Sequence, residues 1–191
     1  GFQLVFKPRS MAIDIHFQGL LLWLNDHGAY PKFRSIKIYD KGKYGWMEYV
    51  QHSSCSNDTE VENFYRRQGE YLALLHSIEA IDFHFENLIA AGEYPMLVDL
   101  ESLFHPHVTA SRKNRADRLS DVMMEHSVLR VGLLPLRVWF DKDSEGVDMS
   151  GLGAEAGQIL PGRFHYLERI GSDDMHFIRK TRLKSGSFLK C

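Results

Sequence analysis

The feature that most constrains this chain is a short pattern of carboxylate and amide residues near its middle. Asp82 is followed five residues later by Asn87, and Asp99 comes twelve residues after Asn87. A carboxylate can accept the proton of a substrate hydroxyl and orient the attacking oxygen, which is the role that we predict for Asp82. Because Mg²⁺ prefers oxygen ligands, we expect Asn87 and Asp99 to share one such ion with the phosphates of a nucleotide. The spacing therefore indicates phosphoryl transfer.

The apolar residues around this pattern predict how the three side chains meet. Between residues 61 and 81 they recur near helical spacing, so we expect a helix that leads to a loop at Asp82. Two short apolar runs flank a turn at 91–94 and predict a hairpin that returns Asp99 to the side of Asn87. Asp and Asn also cap turns, so a structural role is the alternative. The position of Asp99 at the end of a buried apolar run favours a functional set.

His84 and Glu101 lie beside this pattern, and the sequence allows more than one role for each. His84 either hydrogen-bonds a neighbouring loop carbonyl and fixes Asp82, or contacts a phosphate, and a structural histidine fits equally well. Alternation along a strand would place Glu101 on the same face as Asp99. A solvated carboxylate at the strand end is favoured there over a second metal ligand.

The first fifty residues supply a candidate cation and a candidate nucleotide contact. An apolar strand over residues 2–10 contains Lys7, and residues 11–24 follow with helical spacing. Kinase-like folds hold a phosphate-neutralising lysine on a strand ahead of a helix, although a lysine at a strand end is usually just solvated. The aromatic run at 43–50 occupies the place of a connection between lobes. We predict that the backbone of Glu48, Tyr49 and Val50 contacts the adenine edge, with an ordinary strand as the alternative.

Several stretches of the sequence resemble the dehydratase domain of class II lanthipeptide synthetases, the LanM type. They are residues 2–10, which contain Lys-Pro-Arg-Ser, and residues 44–50, 64–75 and 82–106. The Lys-Pro-Arg-Ser block and the block Asp-Leu-Glu-Ser-Leu-Phe-His-Pro at 99–106 are specific to that family rather than to kinases in general. Residues 147–153 and 172–179 extend the similarity along nearly the whole chain.

This resemblance implies an α+β, lipid-kinase-like (protein-kinase-like bilobal) fold that is incomplete at both ends. Residues 1–50 would form part of the N-lobe and the hinge, 51–108 the catalytic core of the C-lobe, and 109–191 its continuation with activation and peptide-binding segments. The implied activity is phosphorylation of serine and threonine in a ribosomally made precursor peptide with ATP and Mg²⁺. Elimination of the phosphate then leaves dehydroalanine or dehydrobutyrine, which a separate zinc cyclase domain joins to cysteine thiols.

The resemblance also assigns residues by motif position. Lys7 corresponds to the phosphate-binding lysine and Asp82 to the catalytic aspartate, and the family's remaining active-site positions fall on His84, Asn87 and Asp99. The family's aspartate and histidine stretch, upstream of its lysine strand, is absent here, where six residues precede Lys7. Elimination in the family uses an Arg and a Thr six residues apart. Arg179 and Thr181 match only the end of that stretch because position 175 is Met, so neither is assigned.

Composition argues against several other functions. The 23 basic and 25 acidic residues give a formal net charge of −2, which provides no bulk attraction for nucleic acid. We find no signal peptide and no run of eighteen apolar residues, and we expect a cytoplasmic protein without a membrane span. The two cysteines, Cys55 and Cys191, suit a reducing compartment. A zinc hydrolase built on His76, His84, His105 and His107 would lack the usual ligand motif.

The last third of the sequence carries weaker patterns. Basic residues cluster at 112–118, where a solvated loop is favoured over a patch that steers an acidic leader peptide or a phosphate. A helical stripe over 117–131 is typical of core packing; it contains Leu119, Val122, Met123, His126 and Leu129. Residues 133–140 predict a strand, and 141–153 predict a mobile loop placed to receive peptide substrate.

Three functions remain open from the sequence. The first is an ATP-dependent peptide serine/threonine kinase module of a lanthipeptide dehydratase, with the precursor peptide and a cyclase domain as partners. The second is a catalytically incomplete remnant that binds only nucleotide or precursor peptide. The third is a related small-molecule kinase, which would share the Asp-Asn-Asp pattern but not the lanthipeptide-like stretches.

Overall fold

A computed structural model describes residues 3–103, 119, 122–139, 146–153 and 159–183. In this described part of the chain, α-helices and several small antiparallel sheets give a mixed α and β architecture, and the lipid-kinase-like bilobal arrangement stays a prediction. Short 3₁₀ helices cover Phe85–Asn87 and Val128–Val131. The other elements are β1 Leu4–Lys7, α1 Ala12–Asp26, β2 Ile38–Asp40, β3 Gly45–Glu48, α2 Asp58–Ser77, β4 Leu88–Ala91, β5 Tyr94–Leu97, β6 Arg137–Val138, β7 Val147–Asp148, β8 Ile159–Glu168 and β9 His176–Leu183.

The first sheet carries Lys7, the last residue of β1. Strands β1 and β2 both pair antiparallel with β3, which gives the order β1-β3-β2. Because side chains alternate along a strand, Val5 and Lys7 share one face and Leu4 and Phe6 share the other. Leu4 and Phe6 are 63% and 54% exposed. The face of Val5 and Lys7 is therefore the one that is turned toward the rest of the protein.

The two helices lie close to where the apolar spacing predicts them. Helix α2 begins at Asp58, three residues before the predicted start, because Asn57 caps it by accepting a hydrogen bond from the backbone N–H of Glu60. It ends at Ser77, so residues 78–81 lie beyond it. The predicted order of a helix followed by a loop containing Asp82 is confirmed.

The predicted hairpin is also confirmed. Leu88 of β4 lies opposite Leu97 of β5, and the two strands pair antiparallel. Immediately beyond them, the backbone N–H of Val98 donates to the carbonyl oxygen of Asn87 at 3.1 Å. This bond places Asp99, the next residue, beside Asn87.

Arg67 of α2 anchors the turn of this hairpin. Its side chain is only 4% exposed, and its Nη1 donates to Glu93 at both the backbone oxygen, 2.7 Å away, and Oε2, 2.9 Å away. Nε donates to the backbone oxygen of Lys32 at 2.7 Å, and the guanidinium lies 4.3 Å from the centre of the Tyr94 ring. One buried cation thus ties α2 to the hairpin and to the segment that precedes β2.

Two buried apolar clusters hold the elements together. The larger joins both helices to the hairpin and to the segments 80–83 and 131–133; its members are Phe17, Leu21, Phe33, Tyr71, Leu75, Ala80, Phe83, Leu88, Leu97, Leu100, Leu103, Val131 and Leu133. The smaller is shared between the first sheet with its flanking segments and the hairpin; its members are Met11, Ile36, Met47, Val50, Ala91 and Met96. The first sheet therefore packs onto the hairpin that carries Asn87 and Asp99 at its ends.

The last third of the chain differs from the sequence prediction. Residues 122–125 are helical, yet Val122 and Met123 are 39% and 67% exposed, so the predicted core stripe is wrong for them. This described segment is about one helical turn long, and the core contact is made instead by Val131 and Leu133, both fully buried. Of the predicted strand at 133–140, the described residues 133–139 contain only the two-residue strand β6.

The segment 146–153 is packed, which corrects the prediction of a mobile loop for these residues; 141–145 lie outside the described part. Asp148 and Ser150 are 6% and 4% exposed. The carbonyl oxygen of Met149 accepts from the backbone N–H of Phe85, and the N–H of Gly151 donates to Gly132. These backbone bonds hold the segment against the loop that follows Asp82.

Three other expectations can be compared with the structure only in part. No helix among the described residues is both long enough and apolar enough to cross a membrane. The expectation that Cys55 and Cys191 suit a reducing compartment stays a prediction, because Cys191 lies outside the described residues. The basic cluster at 112–118 also lies outside them, as do His105 and His107.

Candidate active site

A cavity between the first sheet and the hairpin contains the residues predicted to bind nucleotide and metal. Its volume is 210 Å³. Apolar side chains come from both sides of it: Val5 and Met47 from the sheet, and Ile89 and Val98 from the hairpin region. The polar and backbone positions predicted from the sequence line the same cavity; they are Lys7, Glu48, Tyr49, Val50, Asn87 and Asp99.

A second, largely polar cavity of 260 Å³ adjoins the first and contains Asp82 and His84. The two cavities share Glu86, Asn87 and Asp99 in their walls. The structure therefore brings every residue predicted from the sequence to one pair of neighbouring cavities. The individual roles of these residues stay predictions.

The loop at Asp82 holds its backbone firmly and leaves its carboxylate open. Asp82 has a left-handed backbone with φ of 69°, a conformation that aspartate tolerates better than most residues. Its carbonyl oxygen accepts from Nδ2 of Asn87 at 2.7 Å, and the N–H of Phe83 donates to Val131 at 2.8 Å. Phe83 is fully buried, whereas the Asp82 side chain is 60% exposed. The carboxylate can therefore meet a substrate without disturbing the loop.

Gly132 allows this loop to pack closely. Its φ is +85°, and a Cβ placed on it would lie 3.2 Å from the backbone nitrogen of Phe83. Both the left-handed backbone and the close approach favour a residue without a side chain. Gly132 thus belongs to the support of the Asp82 loop.

The hydrogen bond from Asn87 also fixes the direction of its own amide. Because Nδ2 donates to the carbonyl oxygen of Asp82, Oδ1 is the atom of this side chain that can bind a cation. The role of Asn87 as a metal ligand stays a prediction.

His84 is oriented by a partner that differs from the predicted one. Its Nδ1 accepts from the backbone N–H of Glu86 at 3.2 Å rather than pairing with a loop carbonyl. With Nδ1 acting as an acceptor, the ring hydrogen lies on Nε2, and Nε2 is 3.5 Å from Oδ1 of Asp82. This arrangement directs a hydrogen-bond donor toward the predicted catalytic carboxylate.

Asp99 faces two cations. Its Oδ1 lies 3.7 Å from Nζ of Lys7 and 3.6 Å from Nη2 of Arg9. That oxygen is buried, and among the described residues no donor hydrogen-bonds to it. The two cations therefore balance the charge of the carboxylate without hydrogen-bonding to this oxygen.

Sequence reasoning missed Arg9 and Glu86. Arg9 lies in the Lys-Pro-Arg-Ser block but received no role, although its place two residues after Lys7 was a usable signal. Glu86, a wall of both cavities, lies inside the 82–87 pattern. Glu101 is 61% exposed and accepts from Nε of Arg9 at 2.9 Å, in line with the favoured solvated carboxylate.

Glu48 takes part in the sheet. Its backbone N–H donates to the carbonyl oxygen of Lys37 at 2.9 Å, and its carboxylate pairs with Arg34. The amide of Glu48 is therefore engaged within the protein. The adenine contact predicted for the backbone of Glu48, Tyr49 and Val50 stays a prediction.

Two comparisons place the chain among known proteins. Residues 1–187 match the family described as Domain of unknown function (DUF4135). The Lacticin 481/lactococcin biosynthesis protein LcnDR2 of Lactococcus lactis subsp. lactis is 30% identical over 177 residues, which cover 88% of this chain and 18% of that protein. The chain belongs to the DUF4135 family, and the two matches confirm that it is a segment of the class II lanthipeptide synthetase type. It spans less than a fifth of that relative.

The two predicted metal ligands supply oxygen atoms, which are the donors that magnesium prefers. No cluster of three or more His, Cys, Asp or Glu side chains that could hold a metal ion occurs in the described part of the chain. A catalytic zinc ion needs three converging protein ligands. Magnesium usually takes one or two protein oxygens and completes its shell with phosphate and water. Asn87 Oδ1 and the Asp99 carboxylate are the two oxygens predicted to meet this smaller requirement.

Proposed function

We propose that this chain carries the kinase site of a lanthipeptide synthetase. In this proposal the site uses ATP and Mg²⁺ to phosphorylate serine and threonine in a ribosomal precursor peptide, as the first step of dehydration to dehydroalanine and dehydrobutyrine. The observation that carries the proposal is the arrangement of Asp82, Asn87 and Asp99 around two cavities that share the last two residues. The family match and the lacticin relative support the pathway.

Each side of the site would then have its own task. The 210 Å³ cavity would receive the nucleotide, with apolar walls for the base and Lys7 for the phosphates. Asn87 and Asp99 would hold Mg²⁺ at the boundary between the cavities. The ion, when bound, neutralises charge on the phosphates. Lys7 would reach those phosphates from the end of β1.

The peptide hydroxyl would enter from the other side. Asp82 lines the polar 260 Å³ cavity with an exposed carboxylate, which suits an acceptor for the hydroxyl proton. His84 would hold that carboxylate through Nε2. A serine or threonine of an extended peptide can reach an open cavity of this kind more readily than a closed one.

The later steps belong to the larger polypeptide. We include among the proposed partners the leader and core of the precursor peptide and a lanthionine cyclase domain, and we propose a cytoplasmic location, where ATP is available. Arg179 and Thr181 lie in β9 and remain without an assigned role in elimination.

The proposal is tested with the polypeptide that contains this chain. Given ATP, Mg²⁺ and a serine-rich precursor, it should yield a peptide that mass spectrometry finds heavier by phosphate or lighter by water. Omitting Mg²⁺ should remove both products. Nucleotide binding without either product would favour the binding remnant, and phosphorylation of a small alcohol but not of peptide would favour the small-molecule kinase.

A further inference from the structure

Arg9 contacts three carboxylates that come from two segments of the chain. Its Nη1 and Nη2 bind Asp14, in the first turn of α1, at 2.6 and 3.3 Å. Its Nε donates to Glu101 at 2.9 Å, and its Nη2 lies 3.6 Å from Oδ1 of Asp99. One guanidinium therefore joins the start of α1 to the segment that follows β5.

Asp14 locks this guanidinium in place. The Asp14 side chain is 2% exposed, and a buried carboxylate is costly without a charged, hydrogen-bonded partner. The planar fork of arginine spreads its donors over three nitrogens and so reaches Asp14, Glu101 and Asp99 at once, whereas an ammonium group carries its three donors on a single nitrogen. The hydrogen bond from Arg9 to Asp14 raises the pKa of Arg9 although partial burial lowers it, so the cation stays charged.

Lys7 and Arg9 differ in how freely they can move. Both lie within 3.7 Å of the same oxygen of Asp99. Lys7 ends in a compact ammonium on a flexible stem and can turn toward an incoming phosphate. Arg9 is bound to buried Asp14 and keeps its place when Lys7 turns away.

We infer that Arg9 is a positioning residue, which holds Asp99 for magnesium through its anchor on Asp14 while Lys7 serves the nucleotide phosphates. The inference rests on the magnesium site of the proposed function. Two cations face three carboxylates in this cluster, so it keeps a negative charge that favours a divalent cation. Metal sites commonly depend on such outer partners of their ligands.

The test compares Arg9→Lys with wild type in the polypeptide that contains this chain. Product formation is measured against Mg²⁺ at saturating ATP, and Mn²⁺ binding is measured without nucleotide by electron paramagnetic resonance. We expect the half-saturating metal concentration to rise about tenfold or more, as for other partners of metal ligands. The KM for ATP at saturating Mg²⁺ should stay within about twofold of the wild-type value, because Arg9 does not bind the nucleotide itself. Lys7→Met should show the opposite pattern, with a raised KM for ATP.

Two further variants separate positioning from folding. Asp14→Asn keeps Arg9 but weakens its anchor, and it should raise the metal requirement in the same direction. Arg66→Lys changes an exposed arginine that pairs with Glu62 on α2, and it should leave the metal requirement unchanged. A folded Arg9→Lys or Asp14→Asn protein with wild-type metal dependence would overturn the inference, even if its melting temperature had fallen.

The same data keep the two proposals apart. A wild-type protein that forms product with Mg²⁺, together with an unshifted Arg9→Lys variant, overturns only the role of Arg9. A wild-type protein that binds Mn²⁺ but forms no product overturns the kinase proposal, and a weaker Mn²⁺ affinity in Arg9→Lys would then still support the positioning role.

Discussion

Replacing Asp82 with asparagine is expected to abolish both the phosphorylated and the dehydrated peptide. Asparagine has nearly the same shape but cannot take the hydroxyl proton, and the loss of a general base lowers rates by roughly 100- to 10,000-fold. The loop should survive, since Asp82 binds Asn87 through its backbone oxygen and asparagine also tolerates the left-handed conformation. Mass spectrometry of the precursor after incubation with ATP and Mg²⁺ measures the effect.

The matched control is Glu79→Gln. Glu79 also has a left-handed backbone, with φ of 58°, and lies three residues before Asp82. The Glu79→Gln substitution removes one carboxylate from the segment that follows α2, which also contains Asp82, and it should leave product yields near those of wild type. Nucleotide affinity should be unchanged in Asp82→Asn because Asp82 lines the polar cavity rather than the nucleotide cavity. Undiminished yields from Asp82→Asn would refute its catalytic role.

The second large effect is expected from Arg67→Ala, which should lower the free energy of unfolding of this chain by up to about 3–5 kcal/mol, the cost of removing one partner of a fully buried ion pair, because Arg67 is buried and Glu93 is partly buried. The substitution leaves the Glu93 carboxylate with Asn63 and removes the donors to two backbone oxygens. It also removes the cation above the Tyr94 ring. Denaturant unfolding monitored by circular dichroism measures the loss.

The neighbouring arginine provides the control for this prediction. Arg66 is exposed and pairs with Glu62 one helical turn away, so Arg66→Ala should cost only about 0.2–1 kcal/mol. Equal losses for the two variants would show that Arg67 does not anchor the hairpin.

The contribution of Arg67 should also depend on pH. Burial raises the pKa of Glu93, but hydrogen bonds from Arg67 and Asn63 outweigh it, so the pKa lies below its ordinary value. A carboxylate with a lowered pKa in the folded state stabilises the protein above its unfolded pKa of about 4.3. That stability is lost as the pH falls through the folded pKa. The difference between wild type and Arg67→Ala should therefore shrink below about pH 4.

Sequence patterns predicted the parts of the site that depend on neighbouring residues. The hairpin follows from two short apolar runs around Gly92, and its pairing brings Asn87 beside Val98 without any other element. Helix α2 follows from apolar spacing, and its early start follows from the cap at Asn57. Local propensity and the pairing of neighbouring runs were sufficient to predict that these elements form.

The contacts that join distant segments were not predictable in the same way. Arg9 and Glu101 are 92 positions apart, and no periodic pattern connects them. The burial of Ser150 depends on backbone hydrogen bonds that its two neighbours, Met149 and Gly151, make with Phe85 and Gly132. Val122 and Met123 were expected in the core because their spacing is helical, but spacing cannot tell which side of a short helix finds a partner.

The magnesium dependence of nucleotide binding tests most directly whether Asn87, Asp99 and Lys7 form one site. ATP is titrated into this chain with and without Mg²⁺ by calorimetry, using wild type and Asp99→Asn. We predict saturable binding by wild type that Mg²⁺ strengthens, and loss of that gain in Asp99→Asn with the weaker metal-free binding retained. Equal affinity of wild type with and without Mg²⁺, or a full magnesium effect in Asp99→Asn, would contradict a shared metal and nucleotide site.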